Sequence, residues 1–231
     1  MQSILSKLAG QLIVSCQPVP DGPMDRPDIV AAFAEAALVG GAKGVRIEGV
    51  DNVAAVRRVT NAPLIGLIKT DLENSPVRIT PYVHQVHLLV AAGADIVAFD
   101  ATQRQRPEPL ADLIAAIHAL GAVAMADCAT QADAQIAHQL GAEILATTMA
   151  GYTGDAVPVG PDLELVTALA RIGKFVVAEG RYHTPAQAAA AIAAGARAVV
   201  VGSAITRVEH VTSWFVDALT AGAAHSAQRA K

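Results

Sequence analysis

The chain has 231 residues, 53% of them hydrophobic and 16% charged, and a formal net charge of −4. That length suits a single barrel-sized domain, and that composition excludes a disordered chain. The acidic balance, with no basic stripe, excludes nucleic acid as the main partner, whereas a single phosphate would need only a local site.

The opening segment MQSILSKLAGQLIVSC lacks the long apolar core of a secretion signal, and no later stretch stays apolar for the thickness of a bilayer. A cytoplasmic protein with no membrane partner is expected. Residues 1–10 read as a short helix across the floor of the fold, and eight short apolar runs follow as candidate strands. In order they are QLIVSCQ (11–17), AKGVRIEG (42–49), LIGLIK (64–69), DIVAFD (95–100), AVAMAD (122–127), EILATTM (143–149), FVVAEG (175–180) and AVVVGS (198–203).

Helical patterns with apolar residues three and four apart separate them, as in 27–39 and 185–194, where Pro27 and Pro185 suit first turns. A Gly-Ala pair recurs before the next strand, at Gly41, Gly93, Gly121, Gly141 and Gly195. Glycine closes a helix in the left-handed conformation, so each pair marks a helix end. Eight strand-helix units make the whole chain, 1–231, one α/β domain, a TIM (β/α)8 barrel with its active site at the C-terminal ends of the strands. An open flavodoxin-like or Rossmann-like sheet would have fewer strands and usually a glycine-rich first turn, and no G-x-G-x-x-G follows the first strand.

In this fold a polar residue that ends an apolar strand reaches the catalytic mouth. Such residues are Gln17, Arg46 with Glu48, Lys69, Asp100, Asp127, Thr147 with Thr148, Glu179 and Ser203. Lys69 ends LIGLI, where a lysine has no packing reason to sit, and reads as a general base. That role needs its pKa brought down from about 10.4 toward about 7–8 by burial and neighbouring cations, of which Arg46 is one candidate. Glu179, from the seventh strand, would bring a carboxyl group to the opposite side of the pocket. Gly180, Gly202 and Ser203 follow the last two strands, where this fold commonly builds a phosphate site from backbone amides, and Arg207 is one helical turn beyond.

Other features carry less. His84 and His87 share a helix face without an evident third ligand, so no metal site is expected. RQRPEP from 104 reads as a charged loop whose arginines can close over substrate, and Trp214 and Phe215 as packing of the last helix or a subunit contact. Cys16 and Cys128 match no metal or redox spacing and read as buried free thiols.

The strings SCQPVP, VRIEG, GLIK, NSPVRITP, RQRP, MADC, TTMAGYT, AEGRY and VGSAITR, in that order along almost the whole chain, resemble the bacterial N-acetylmannosamine-6-phosphate 2-epimerase family. The loop after TTMAGYT, GDAVPVGPD, and the alanine of MADCAT depart from its pattern. The resemblance implies a cofactor-independent TIM-barrel isomerase, commonly a dimer, that interconverts N-acetylmannosamine 6-phosphate and N-acetylglucosamine 6-phosphate in amino-sugar and sialic acid breakdown. It implies Lys69 as the base and Glu179 as the acid or second proton-handling group. Gln17, Arg46 and Asp127 fall at substrate-binding positions, and Gly180, Gly202, Ser203 and Arg207 at phosphate-binding ones. A Schiff-base aldolase or synthase using Lys69 as nucleophile, and a phosphosugar-binding barrel without catalysis, remain open as other readings.

Overall fold

Parallel strands that are apolar on both faces must be covered on both, and a closed sheet ringed by helices achieves this. The computed structural model describes residues 2–154 and 157–229, so Asp155 and Ala156 of the GDAVPVGPD loop lie outside it. Its strands are β1 (Gln11–Cys16), β2 (Gly44–Glu48), β3 (Leu64–Leu67), β4 (Ile96–Asp100), β5 (Val123–Asp127), β6 (Ile144–Ala146), β7 (Phe175–Glu179) and β8 (Ala198–Val201). They pair in sequence order, all parallel, and β8 closes onto β1 through Gln11↔Ala198 to Val14↔Val201. The expected TIM barrel is the observed fold.

The helices are α1 (Gln2–Leu8), α2 (Pro27–Val39), α3 (Val50–Val59), α4 (Val83–Ala91), α5 (Leu110–Ala119) and α6 (Gln131–Gln139). They continue with α7 (Leu163–Ala170), α8 (Pro185–Ala193), the short α9 (Ser203–Thr206) and the long α10 (Val208–Arg229). All five Gly-Ala glycines sit at positive φ, between 76° and 107°. Pro27 and Pro185 occupy first turns, and Thr184 closes a capping box with Gln187 at the start of α8. No helix among the described residues is long and apolar enough to cross a membrane.

Two apolar layers hold the barrel. One lies between strands and helices, with Phe99, Leu113, Ile114, Val166 and both cysteines, which are buried and free. The other fills the barrel lumen with Ile13, Ile65, Leu67, Ile96, Val123, Met125, Ile144, Val177 and Val200, and Leu8 of α1 plugs its N-terminal end.

Side chains of a strand alternate between faces, so the lumen layer fixes the phase of everything above it. Ile13 points inward, hence so do Ser15 and Gln17; Ile65 and Leu67 set Lys69; Ile96 sets Asp100; Met125 sets Asp127; Val177 sets Glu179. The same alternation brings Arg46 into the lumen, where it is 1% exposed. The polar residues thus cap the apolar plug at one end of the barrel.

One expected boundary fails in an informative way. Lys69 is not on β3, whose ladder stops at Leu67, but on a hairpin-like excursion that leaves the barrel and returns. Thr70 N donates to Arg78 O at 2.9 Å and Thr80 N to Ile68 O at 2.7 Å. Thr80, at φ 43°, then wedges between β3 and β4, its hydroxyl donating to Ala98 O at 2.7 Å. The wedge replaces direct β3–β4 pairing beyond Gly66↔Val97 and splays the strands there, which opens room at the mouth for Lys69 and Arg78.

Candidate active site

Above the lumen layer, at the C-terminal ends of the strands, lies a cavity of about 560 Å³. Gln17, Arg46, Lys69, Glu179, Gly180, Gly202, Ser203 and Arg207 all line it. Eight of the nine residues picked from the sequence therefore share one space. Asp127, expected at a substrate-binding position, is not among the lining residues: it is fully buried beneath Arg46, with both carboxylate oxygens accepting from that guanidinium.

The floor is an ion network. The Arg46 guanidinium donates to Asp127 through both terminal nitrogens, Nη1 to Oδ1 at 3.1 Å and Nη2 to Oδ2 at 2.6 Å. Nη1 also donates to Glu179 Oε2 at 2.6 Å. Such a fork fits a carboxylate in two places at once, which an ammonium cannot do. Burial opposes the Arg46 charge, but Asp127 and Glu179 outweigh it and hold the guanidinium firmly protonated. The Arg46 Nε remains buried without a partner.

One cation between two buried carboxylates leaves an excess negative charge in a poorly solvated place, and a proton relieves it most easily. Glu179 is where it settles. Desolvation pushes its pKa up to about 7; Arg46 and Lys69 pull it down, Asp127 pushes it up. Beyond the end of β6, Thr147 fixes the backbone from which this carboxyl hangs, its hydroxyl donating to Glu179 O at 2.9 Å and accepting from Glu179 N at 3.0 Å.

Lys69 faces this floor from the β3 side. Its Nζ donates to Gln17 Oε1 at 2.7 Å, and Gln17 Nε2 donates to Ser15 Oγ at 2.8 Å. Crowding by protein atoms at the mouth lowers its pKa to about 8, helped by Arg207 and, more weakly, by Arg46 and Arg78, while Glu48 opposes. Arg46, the cation expected to do this, is thus secondary to Arg207, because its own charge is answered by two carboxylates. Glu48 serves Lys69 also by accepting from its backbone N–H at 3.3 Å.

On the opposite rim, Gly180 stands at φ 112°, a conformation only glycine adopts at low cost, and Arg181 follows at φ 60°. Gly202 precedes the first turn of α9, close enough to β1 that an added Cβ would meet Ser15 Cβ at 3.3 Å. Arg207 donates through Nε to Gln17 O at 2.9 Å, and among the described residues it forms no salt bridge. Arg181 likewise donates to backbone carbonyls, those of Gly160 at 2.7 Å and Ala150 at 2.6 Å, and packs over the Tyr152 ring. Among the described residues, these two guanidiniums stand beside turn amides without a salt-bridge partner, a combination that suits an anion.

Sequence reading missed several lining residues. Arg78 is held by Asp71 at 3.0 Å, and Arg104 by Asp100 at 2.7 Å; only the RQRP loop had been marked as able to reach substrate. His183 lines the cavity with its ring 4.5 Å from that of Trp214, so the tryptophan supports the rim while Phe215 is 69% exposed. Their positions depend on loop paths that no periodicity encodes. Among the described residues no group of three or more His, Cys, Asp or Glu side chains could hold a metal ion.

Residues 30–221 match the family model described as "Putative N-acetylmannosamine-6-phosphate epimerase". The chain is 58% identical over 210 residues to a relative from Proteus mirabilis, covering 91% of this chain and 90% of the relative, and 57% identical over 219 residues to one from Yersinia pseudotuberculosis, covering 95% and 94%. Both carry the name "Putative N-acetylmannosamine-6-phosphate 2-epimerase". Among solved structures, the N-acetylmannosamine-6-phosphate 2-epimerase from Clostridium perfringens superposes with a TM-score of 0.89 at 39% identity, covering 92% of this chain and 95% of that one.

Proposed function

The chain belongs to the N-acetylmannosamine-6-phosphate 2-epimerase family, and on that premise we propose that Lys69 and Glu179 exchange protons with the two faces of C2 as N-acetylmannosamine 6-phosphate and N-acetylglucosamine 6-phosphate interconvert. The protein is an isomerase acting on a small phosphosugar. The reading is carried by one observation: an amine and a carboxyl, Lys69 and Glu179, border the same cavity as the Gly180, Gly202 and Arg207 rim.

The open-chain sugar places its phosphate on the Gly180, Gly202–Ser203 and Arg207 rim. Neutral Lys69 takes the C2 proton, whose bonding pair moves into the enolate and leaves charge on the carbonyl oxygen. The second N–H of Gln17 Nε2 remains as a donor for that oxygen. Protonated Glu179 then gives its proton to C2 from the other face. The pair ends as ammonium and carboxylate, the form that runs the reverse reaction.

The pH dependence follows. Below about 7 both groups hold protons and no base is present; above about 8 both have lost them and no acid is present. A plot of kcat/KM against pH should be bell-shaped with its maximum between these values, and a value still climbing at pH 10 would contradict the pairing. Arg207→Ala should raise KM by about 10–100-fold, the loss of a charge-assisted contact, and move the alkaline limb upward, since Arg207 is the leading cation acting on Lys69. An unchanged KM would place the phosphate elsewhere.

The same reading takes the enzyme as a cytoplasmic homodimer in amino-sugar and sialic acid breakdown. Phe215 and Leu219, 69% and 74% exposed on α10, support the dimer; a monomer mass in light scattering would remove that part. The test of the function itself is incubation with N-acetylmannosamine 6-phosphate followed by NMR. Appearance of N-acetylglucosamine 6-phosphate to a fixed ratio is expected, and its absence overturns the reading.

A further inference from the structure

Thr148 lies two residues past the end of β6, between the carboxyl groups that the floor network holds. Its hydroxyl is 2.6 Å from Asp127 Oδ1 and 3.2 Å from Glu179 Oε2, and Arg46 Nη1 reaches it at 3.5 Å. A hydroxyl has a single hydrogen to donate. It therefore serves one carboxylate at a time, and the distances put it on Asp127.

We propose that Thr148 is a positioning residue for the epimerisation, whose hydroxyl hydrogen turns from Asp127 to Glu179 when Glu179 gives up its proton. The proposal rests on Glu179 being the group that exchanges a proton with C2. Once Glu179 is a carboxylate, the floor holds two negative charges against the one guanidinium of Arg46. A donor 3.2 Å away that needs only a rotation about its C–O bond answers that charge without moving the backbone. Asp127 is a carboxylate too, so the turn exchanges one charge-assisted bond for another; it favours the deprotonated form of Glu179 because the charge of Asp127 stays answered by Arg46 while the new charge gains a donor. Asp127 loses little, because it retains both nitrogens of the Arg46 fork.

No other group can substitute. The charged neighbours of Glu179 are Arg46 from β2, Asp127 from β5 and Lys69 from beyond β3, with Arg181, His183 and Arg207 farther along the same cavity wall. Arg46 has committed its terminal nitrogens, and Lys69 donates to Gln17. Thr147, the adjacent hydroxyl, is bound to the Glu179 backbone.

The test is the kcat/KM–pH profile of Thr148→Val, which keeps the shape and removes the hydroxyl. The acid limb, set by Glu179, should rise by roughly 0.5–1 pH unit, the net worth of one ordinary hydrogen bond once the bond given up at Asp127 is allowed for, with KM within about twofold of wild type. Thr148→Ser should return the limb to its wild-type position. If the valine variant does not fold, Thr148→Ala gives the same readout with a smaller side chain. An unchanged limb, a limb displaced to lower pH, or a serine variant that behaves like valine would overturn the proposal. Absence of C2 exchange in the wild-type enzyme would instead remove the proton-transfer role of Glu179 itself, so the two failures are distinct.

Discussion

Replacing Lys69 with alanine should slow exchange of the C2 proton with solvent by about 10²–10⁴-fold, the usual contribution of a positioned general base. No side chain near it can take its place. Its hydrogen-bond partner Gln17 does not titrate, and Glu48 faces its backbone amide. Arg46 is held protonated by its two carboxylates. The fold should hardly notice the change, because Lys69 sits on the excursion beyond β3, above the apolar plug and outside the ion network of the floor. A melting temperature within a few degrees of wild type is expected, together with near-complete loss of turnover. Retained exchange would mean that the proton leaves C2 by another route.

Replacing Arg46 should do the opposite to stability. Arg46→Met keeps the volume and removes the charge, which leaves Asp127 and Glu179 buried at the lumen floor with no cation between them. Breaking a buried pair from one side costs about 3–5 kcal/mol, a large part of the stability of an ordinary domain. The pH dependence has a definite sign. Without Arg46, which pulls the carboxyl of Glu179 down, burial leaves Glu179 titrating still higher in the folded chain than in the unfolded one, so the folded state binds more protons and stability falls as pH rises through that interval. The variant should therefore be least stable at neutral and alkaline pH and regain stability toward about pH 4–5, near the unfolded carboxyl values. Denaturant unfolding at both ends of that range reads it, and equal stability of variant and wild type at pH 8 would show that the network contributes nothing to the fold.

These contrasts show what the sequence could and could not convey. Strand order and the inward direction of Asp127 and Glu179 follow from alternation, because each shares its phase with a lumen residue two places before it, Met125 and Val177. The helix ends follow from glycines that must take positive φ. Beyond the strands, alternation says nothing about depth. Asp127 and Glu179 both end apolar runs, yet one is sealed beneath Arg46 and the other opens to the cavity. Arg46 read as a group for the sugar and emerges as the hub of the floor, since only the closed barrel brings β2 opposite β5 and β7. Arg78 was invisible because it depends on the Thr80 wedge, a backbone event set by one residue at φ 43°. Thr148 stood out only as a polar residue past a strand, and its importance comes from two distances to carboxyl groups that are distant in sequence.

The central claim, that an amine and a carboxyl serve opposite faces of one carbon, is tested most directly by running the epimerisation of N-acetylmannosamine 6-phosphate in deuterium oxide and examining the earliest product by NMR. Both groups exchange their protons with solvent, so nearly every molecule of N-acetylglucosamine 6-phosphate formed should carry deuterium at C2 and protium at its other carbon-bound positions. Product that keeps its original C2 hydrogen would contradict the account, because a second group supplying a solvent-derived proton would then have no part in the inversion.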